Sequence, residues 1–291
     1  MAMPARHMLL ALLVVAVWGT NFVVIRHALD ALPPLLLATL RFALAFLPAA
    51  LLIERPAVPW RQLAAYGLLV GVGQFGLLYV AMRADITPGL ASLVVQTQVF
   101  MTIGLALVFE GERPRPYQLI GLLLAVAGLV LIGLRREVAG TTVLGLVLVL
   151  LAALSWAAAN LVGRRAGRVN MLGYMVWSSG FAIVPLLVLS LLLEGPAAMA
   201  QGLQRADPGT WLAVVWQSVG NTLFGYGAWA WLLARHAAVT VSPWALGVPV
   251  FGMAAAALFL DEPMSAWKLA AAALVIGALA INALVPRLRR S

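Results

Sequence analysis

The chain has 291 residues, 64% of them hydrophobic and 10% charged, with a mean hydropathy of +1.01, far from the soluble average of about 25% charged residues. Its net charge of +9 does not indicate nucleic acid, because the basic residues, all arginine except Lys268, fall singly or in small groups between apolar runs, the pattern of membrane topology signals. The absence of cysteine excludes a disulfide framework, a thiol nucleophile and a Cys-ligated metal, and leaves the redox compartment open.

Runs long enough to cross a hydrocarbon layer of ~30 Å at about 1.5 Å per residue begin with residues 7–25. Arg6 and His7 ahead of this run imitate a secretory signal, but the apolar character continues to Ile25 without a small-residue cleavage pattern, so it reads as a retained span. Further runs follow at 33–53, 61–82, 88–109, 116–134, 142–163, 171–193, 210–233, 241–260 and 266–285. The longest connection, Glu194 to Gly209, has room for one short interfacial helix. In "DITP" (Asp85 to Pro88) and "VSP" (Val241 to Pro243) a polar residue precedes a first-turn proline, which predicts capped starts for the fourth and ninth helices. Gly67 with Gly71, Gly121 with Ala125, and Ala273 with Gly277 are small residues four apart, the spacing of a packing seam.

With the N-terminus inside, the cytoplasmic segments carry twelve basic residues, Arg6, Arg55, Arg61, Arg113, Arg115, Arg164, Arg165, Arg168, Arg235, Arg287, Arg289 and Arg290. The opposite side carries six, Arg26, Arg83, Arg135, Arg136, Arg205 and Lys268. The positive-inside rule therefore places both termini in the cytoplasm, with Arg135 and Arg136 voting against it.

The halves resemble each other. "VWGTN", with Trp18 and Asn21, recurs as "SWAAAN", with Trp156 and Asn160. The run Arg41 to Glu54 recurs as Ser178 to Glu194 and aligns Pro48 with Pro185. "GQFG" (Gly73 to Gly76) recurs as "GNTLFG" (Gly220 to Gly225), and "VFMTIGLALVFEGERP" recurs as "VFGMAAAALFLDEP", aligning Glu112 with Glu262. Each unit holds five helices, residues 1–136 and 137–291. Because five is odd, the second unit enters the membrane from the opposite side, as in inverted-repeat transporters.

These features together resemble the drug/metabolite transporter superfamily, specifically its two-repeat EamA-type members. The resemblance is carried by the Trp-plus-Asn first helix of each unit, by Arg41-Phe42, by Gly111-Glu112 and Asp261-Glu262 after each fourth helix, and by the small-residue fifth helix. Within that superfamily the chain is similar to the YddG-type aromatic amino-acid exporters. The resemblance implies an all-α integral membrane protein whose ten transmembrane helices form a basket around a central cavity. It further implies alternating access, export of a small amphipathic metabolite, and a place in the bacterial inner membrane. No Asp or Glu lies deep in any run, whereas the four-helix multidrug members carry a carboxylate in their first helix. Proton coupling through a buried acid is therefore disfavoured, and facilitated movement without a coupling ion is expected.

The polar residues inside the runs are the candidate substrate contacts. Asn21 follows Trp18 by three positions and Asn160 follows Trp156 by four, so each pair shares a helix face. Gln217 and Asn221 share a face in the eighth run, and Gln74 holds the matching place in the third. Such amides either hydrogen-bond between helices, for about 0.6–2 kcal/mol each, or line a wetted midplane cavity, and their concentration at repeat-related places favours the cavity. In the fourth run Ser92 and Gln96 share one face and Gln98 and Thr102 another. Ser92 and Gln96 are the pair expected to face the cavity, and Gln98 is expected to bond a neighbouring helix. Trp18, Trp156 and Trp177 (beside Ser178) lie deeper than Trp60, Trp211, Trp244 and Trp267, which read as interfacial anchors. The deep rings, with the hydroxyls of Tyr79 and Tyr226, either stack on an aromatic substrate, worth about 0.5–1.5 kcal/mol per pair, or pack against neighbouring helices.

Arg41 is the only basic residue well inside a run, where an insertion scale charges it roughly 2.5–3.5 kcal/mol. A substrate carboxylate is one compensation; snorkelling or exposed carbonyls are the other, and the family resemblance favours this structural role. Pro48 and Pro185 are candidate hinges, since each frees a backbone carbonyl. An intramembrane enzyme finds no support: no HExxH, GxSxG, Walker or paired-aspartate motif occurs, and His7, His27 and His236 lie in separate loops. A retinal-type receptor needs a buried lysine, whereas Lys268, the one lysine, sits at a helix end, and a channel is disfavoured by the inverted repeat. No cofactor, metal or nucleic acid is expected; the expected partners are a small-molecule substrate and the bilayer, and ten helices enclosing one pathway suit a monomer.

Overall fold

The computed structural model describes residues 3–110, 116–134, 141–167, 169–235, 244–245 and 247–288. Among them the chain is all-helical, with no strand. In chain order the helices are α1 (Ala5–Ala31), α2 (Pro34–Leu51), α3 (Trp60–Ala84), α4 (88–110), α5 (Pro116–Leu134), α6 (Val143–Arg164), α7 (Met171–Glu194), α8 (Pro196–Arg205), α9 (208–235), α10 (Gly247–Phe259) and α11 (Ala266–Leu288). Five of these, α1, α2, α3, α6 and α7, are long and apolar enough to cross a membrane, and shorter apolar segments lie in α5, α10 and α11. Each run read from the sequence contains helix, and α8 occupies the longest connection.

Two ends differ from expectation. α1 continues past Ile25 to Ala31, because nothing breaks a helix before Pro33 and Arg26 pairs with Asp30 one turn on at 3.2 Å. Thr87 stands at the cap position of α4 but makes no side-chain cap bond. Its hydroxyl turns instead to Glu262 (2.5 Å), whose other oxygen accepts the Gly89 N–H at 3.0 Å. The "VSP" start lies outside the described residues. α2, which starts with two prolines, is capped from a distance in the same way: Glu194 accepts the N–H groups of Leu35 and Leu36 at 2.7 and 3.1 Å. A carboxylate at a helix N-terminus meets both its unpaired donors and its positive dipole end.

The principal helix pairings among the described residues have counterparts in the other half. α1 packs on α10 as α6 packs on α4; α3 packs on α6 as α9 packs on α1; and α2 with α7, α4 with α10 and α5 with α11 pair equivalent helices. Arg83 donates to the Leu32 carbonyl at 3.2 Å, and the Thr142 hydroxyl donates to Asp85 at 2.8 Å. The end of α1, the end of α3 and the start of α6 thus lie together. At the opposite end His7 meets Trp231 edge-on with ring centres 4.9 Å apart, and the Trp177 indole donates to the Ile53 carbonyl at 2.9 Å.

Small residues set the closest crossing. A Cβ on Gly67 would fall onto the Ser178 carbonyl oxygen, and one on Gly71 onto the Ala182 side chain, so α3 and α7 meet backbone to backbone. On α11, Gly277 has open space around it, and it is Gly128 of α5 that sits against Ala271 and Val275. The aligned prolines also differ. Pro48 falls where α2 passes into a 3-10 turn at Ala49–Leu51, whereas Pro185 lies within the continuous part of α7, followed by a π turn at Ser190–Glu194.

Candidate functional site

Two equivalent helices carry the same departure from α geometry. α3 is π-helical over Leu69–Gly76 and α9 over Trp216–Tyr226, and π segments are rare and concentrate at functional sites. They coincide with "GQFG" and "GNTLFG". The glycines let neighbours close in: Ser155 of α6 reaches the α3 segment and donates to the Leu69 carbonyl at 2.8 Å, and the Trp18 indole lies against Gly225.

Between these segments lies Arg41, fully buried on α2. Its Nη1 donates to the Tyr79 hydroxyl at 2.6 Å; its Nη2 donates to Asn221 Oδ1 at 2.8 Å and Thr222 Oγ1 at 3.1 Å; its Nε donates to the same Thr222 oxygen at 3.3 Å. The guanidinium lies 3.7 Å from the centre of the Phe75 ring. Four of its five N–H groups are therefore engaged. Among the described residues no carboxylate pairs with it; the charge is spread over neutral dipoles and an aromatic face. These bonds tie α2 to α3 and α9, which answers the desolvation cost without a substrate.

From Arg41 the hydrogen bonds run onward. Tyr79 donates to Gln217 Oε1, and Thr222 donates to the Gln217 backbone carbonyl at 2.9 Å. Ser218 donates to the Arg41 carbonyl at 3.0 Å. The Trp18 indole donates to the Asn221 carbonyl at 3.3 Å, and its ring packs 5.2 Å from both Tyr226 and Trp229. Of the candidates, the structure thus assembles Trp18, Arg41, Tyr79, Gln217, Asn221 and Tyr226 into one network. Phe75, Ser218 and Thr222 complete it and were not singled out from sequence, although Phe75 and Thr222 lie inside the two repeated glycine motifs.

The remaining candidates divide by whether their polar atoms are satisfied. Asn160 donates to Gln98 Oε1 at 3.0 Å and Thr102 Oγ1 at 3.2 Å, so it bonds the other face of α4. Ser92 donates to the Gly89 carbonyl at 2.7 Å and packs on Gly252, in the seam between α4 and α10. Gln96 is buried, and Trp156 is half-buried against the core. Trp177 sits at the bundle end with Trp60 and Phe46 around it, shallower than the sequence reading placed it. By contrast, Asn21 Oδ1, Gln74 Oε1, Ser178 Oγ and Gln217 Nε2 are buried with no partner among the described residues. Such atoms cost on the order of 1–3 kcal/mol each when left unpaired.

The two asparagines show why. With Val99-Phe100 aligned on Val250-Phe251, the Gln98 and Thr102 that satisfy Asn160 correspond to Pro249 and Met253 on α10. Neither side chain offers a donor, and only Met253 offers even a weak acceptor; Asn21 Oδ1 has no partner among the described residues. Among the described residues no group of three His, Asp or Glu could hold a metal ion.

The sequence matches the EamA-like transporter family over residues 5–134 and 143–284. It is 42% identical over 287 residues to a protein of Salmonella typhimurium named a probable amino-acid metabolite efflux pump, covering 97% of this chain and 96% of that one. An Escherichia coli protein of the same name is 41% identical over the same shares. A solved crystal structure with 21% identity superposes with a TM-score of 0.65 over 99% of this chain and 100% of the other, a likeness of fold.

Proposed function

The chain belongs to the EamA-like transporter family, and on that premise we propose that it exports small amphipathic metabolites, aromatic and other neutral amino acids first among them. Family membership points to a transporter rather than an enzyme. The observation that carries the substrate reading is the set of buried amide atoms without a partner among the described residues, Asn21 Oδ1, Gln74 Oε1 and Gln217 Nε2 on α1, α3 and α9, with Trp18, one turn before Asn21, packed against Tyr226 and Trp229. Two acceptors and one donor suit a group that carries both an ammonium and a carboxylate, and the Trp18 and Tyr226 rings suit an apolar side chain. The names of the Salmonella and Escherichia relatives are consistent with that class.

In mechanism the protein works by alternating access of two inverted five-helix repeats across ten spans, with the termini in the cytoplasm. The paired helix contacts support this reading, as does the meeting of the end of α1 with the start of α6. No coupling ion takes part. This is supported by the position of the described acidic residues, each in a loop or near a helix end, which leaves no carboxylate beside the network to carry a proton.

Counterflow in proteoliposomes with a panel of aromatic, aliphatic and acidic amino acids tests the proposal. External aromatic or neutral amino acid is expected to accelerate exit of the labelled compound with saturation. Indifference to every amino acid ends the substrate reading, and uphill accumulation driven by an imposed pH or sodium gradient ends the uncoupled mechanism.

A further inference from the structure

The arrangement around Gln217 assigns roles within this site. Gln217 is fully buried, and both of its carbonyl groups are held by chains that begin on Arg41. The side-chain oxygen accepts from Tyr79, which itself accepts from Arg41; the backbone oxygen accepts from Thr222, which accepts from Arg41 twice. A guanidinium has donors only, so the first chain has one sense: Arg41 to Tyr79 to Gln217. With Tyr79 accepting from Arg41, its own O–H donates to Gln217 Oε1, which leaves Nε2 as a donor without a partner among the described residues. Each link also polarises the next, so part of the charge on Arg41 is felt at that N–H.

We propose that Gln217 Nε2 is the donor that receives the carboxylate of the transported amino acid, and that Arg41 is a positioning residue acting through Tyr79 rather than by direct contact. The inference rests on the amino-acid reading above. Direct pairing with Arg41 is disfavoured by its own geometry. A carboxylate takes two parallel N–H groups from a guanidinium, whereas Arg41 has one N–H left and its face is covered by Phe75. The repeat-related position offers no equivalent: with Gly73 aligned on Gly220, Val70 stands where Gln217 does, and it has no polar side chain. The site is therefore polar in one direction, with the carboxylate on the α9 side.

Counterflow with phenylalanine, its carboxamide and its decarboxylated amine tests the assignment on the full chain in proteoliposomes. The unaltered protein is expected to carry phenylalanine, to carry the carboxamide with a raised KM and to ignore the amine. Tyr79→Phe, which keeps the ring and removes the link, is expected to raise KM for phenylalanine about tenfold, the scale of one hydrogen bond to a charged group. It leaves kcat and the KM for the carboxamide within a factor of about two. Gln217→Glu, which puts an anion where the donor was, is expected to abolish carriage of phenylalanine. Equal KM values of the unaltered protein for phenylalanine and the amine overturn the assignment, and need no variant. So does a Tyr79→Phe protein that loses kcat alone, or that weakens phenylalanine and carboxamide alike. A protein that carries no amino acid at all fails the reading on which the inference rests, a result distinct from the others.

Discussion

The Tyr79 hydroxyl accepts a hydrogen bond from Arg41 Nη1 at 2.6 Å, joining α3 to α2 in the middle of the bundle. Because Tyr79, Asn221 and Thr222 all turn their oxygens toward Arg41, loss of the guanidinium leaves several buried groups unpaired at once. Lysine's three N–H groups sit on one nitrogen, which cannot span Tyr79 on one side and Asn221 and Thr222 on the other or lie flat on Phe75. Arg41→Lys is expected to destabilise the protein by roughly 2–4 kcal/mol, read as a lower apparent melting temperature in detergent. An unshifted melting curve would mean that the network does not hold these helices together.

The two asparagines are expected to separate stability from transport. Asn160→Ala removes bonds to Gln98 and Thr102, which costs about 1 kcal/mol of stability and leaves the KM for an amino acid unchanged. Asn21→Ala removes an oxygen that no group among the described residues uses; its melting temperature stays level or rises while the KM increases. Melting curves and counterflow on both variants check the pair, and the opposite assignment of effects would place the substrate on the Asn160 side.

Glu262 and Lys268 form an ion pair at 2.8 Å with both side chains largely buried. Glu262→Gln leaves the lysine charge without its partner and weakens the cap on Gly89, a loss on the order of 3–5 kcal/mol. Adding Lys268→Met to that variant is expected to recover part of the loss, because a stranded charge costs more than an absent pair. A double variant no better than the single one would show that the helix cap, rather than the charge, sets the penalty.

Close packing makes a sharper test of the fold. Gly67→Ala would push a methyl group into the Ser178 carbonyl, backbone against side chain with no room to turn, and α3 must move off α7. Yield of monodisperse protein on size-exclusion chromatography is expected to collapse. Gly277→Ala meets open space and is expected to be neutral or to stabilise by about 0.5–1 kcal/mol.

Much of this architecture was legible along the chain. Apolar run lengths place the helices to within a few residues, and composition alone excludes a soluble enzyme. The start of α4 fell where the sequence placed it, but its cap came from elsewhere in the structure: Glu262, far away in sequence, and not Thr87. The π segments left only an indirect trace, the repeated glycine motifs, because the extra residue per turn is a choice of backbone hydrogen bonds that composition does not specify.

The sequence by itself determined the membrane class, the internal repetition, the family, and which side chains share a helix face, since all of these depend on order and spacing along one chain. Only the tertiary structure decided which faces meet. It gave Asn160 a partner in Gln98 and left Asn21 without one; it surrounded Arg41 with neutral acceptors; and it moved Trp177 to the bundle end beside Ile53. Whether a buried polar atom is satisfied depends on the crossing of two helices, and residues that meet at a crossing can lie more than a hundred positions apart, as Arg41 and Gln217 do through Tyr79. Periodicity carries no information about that meeting.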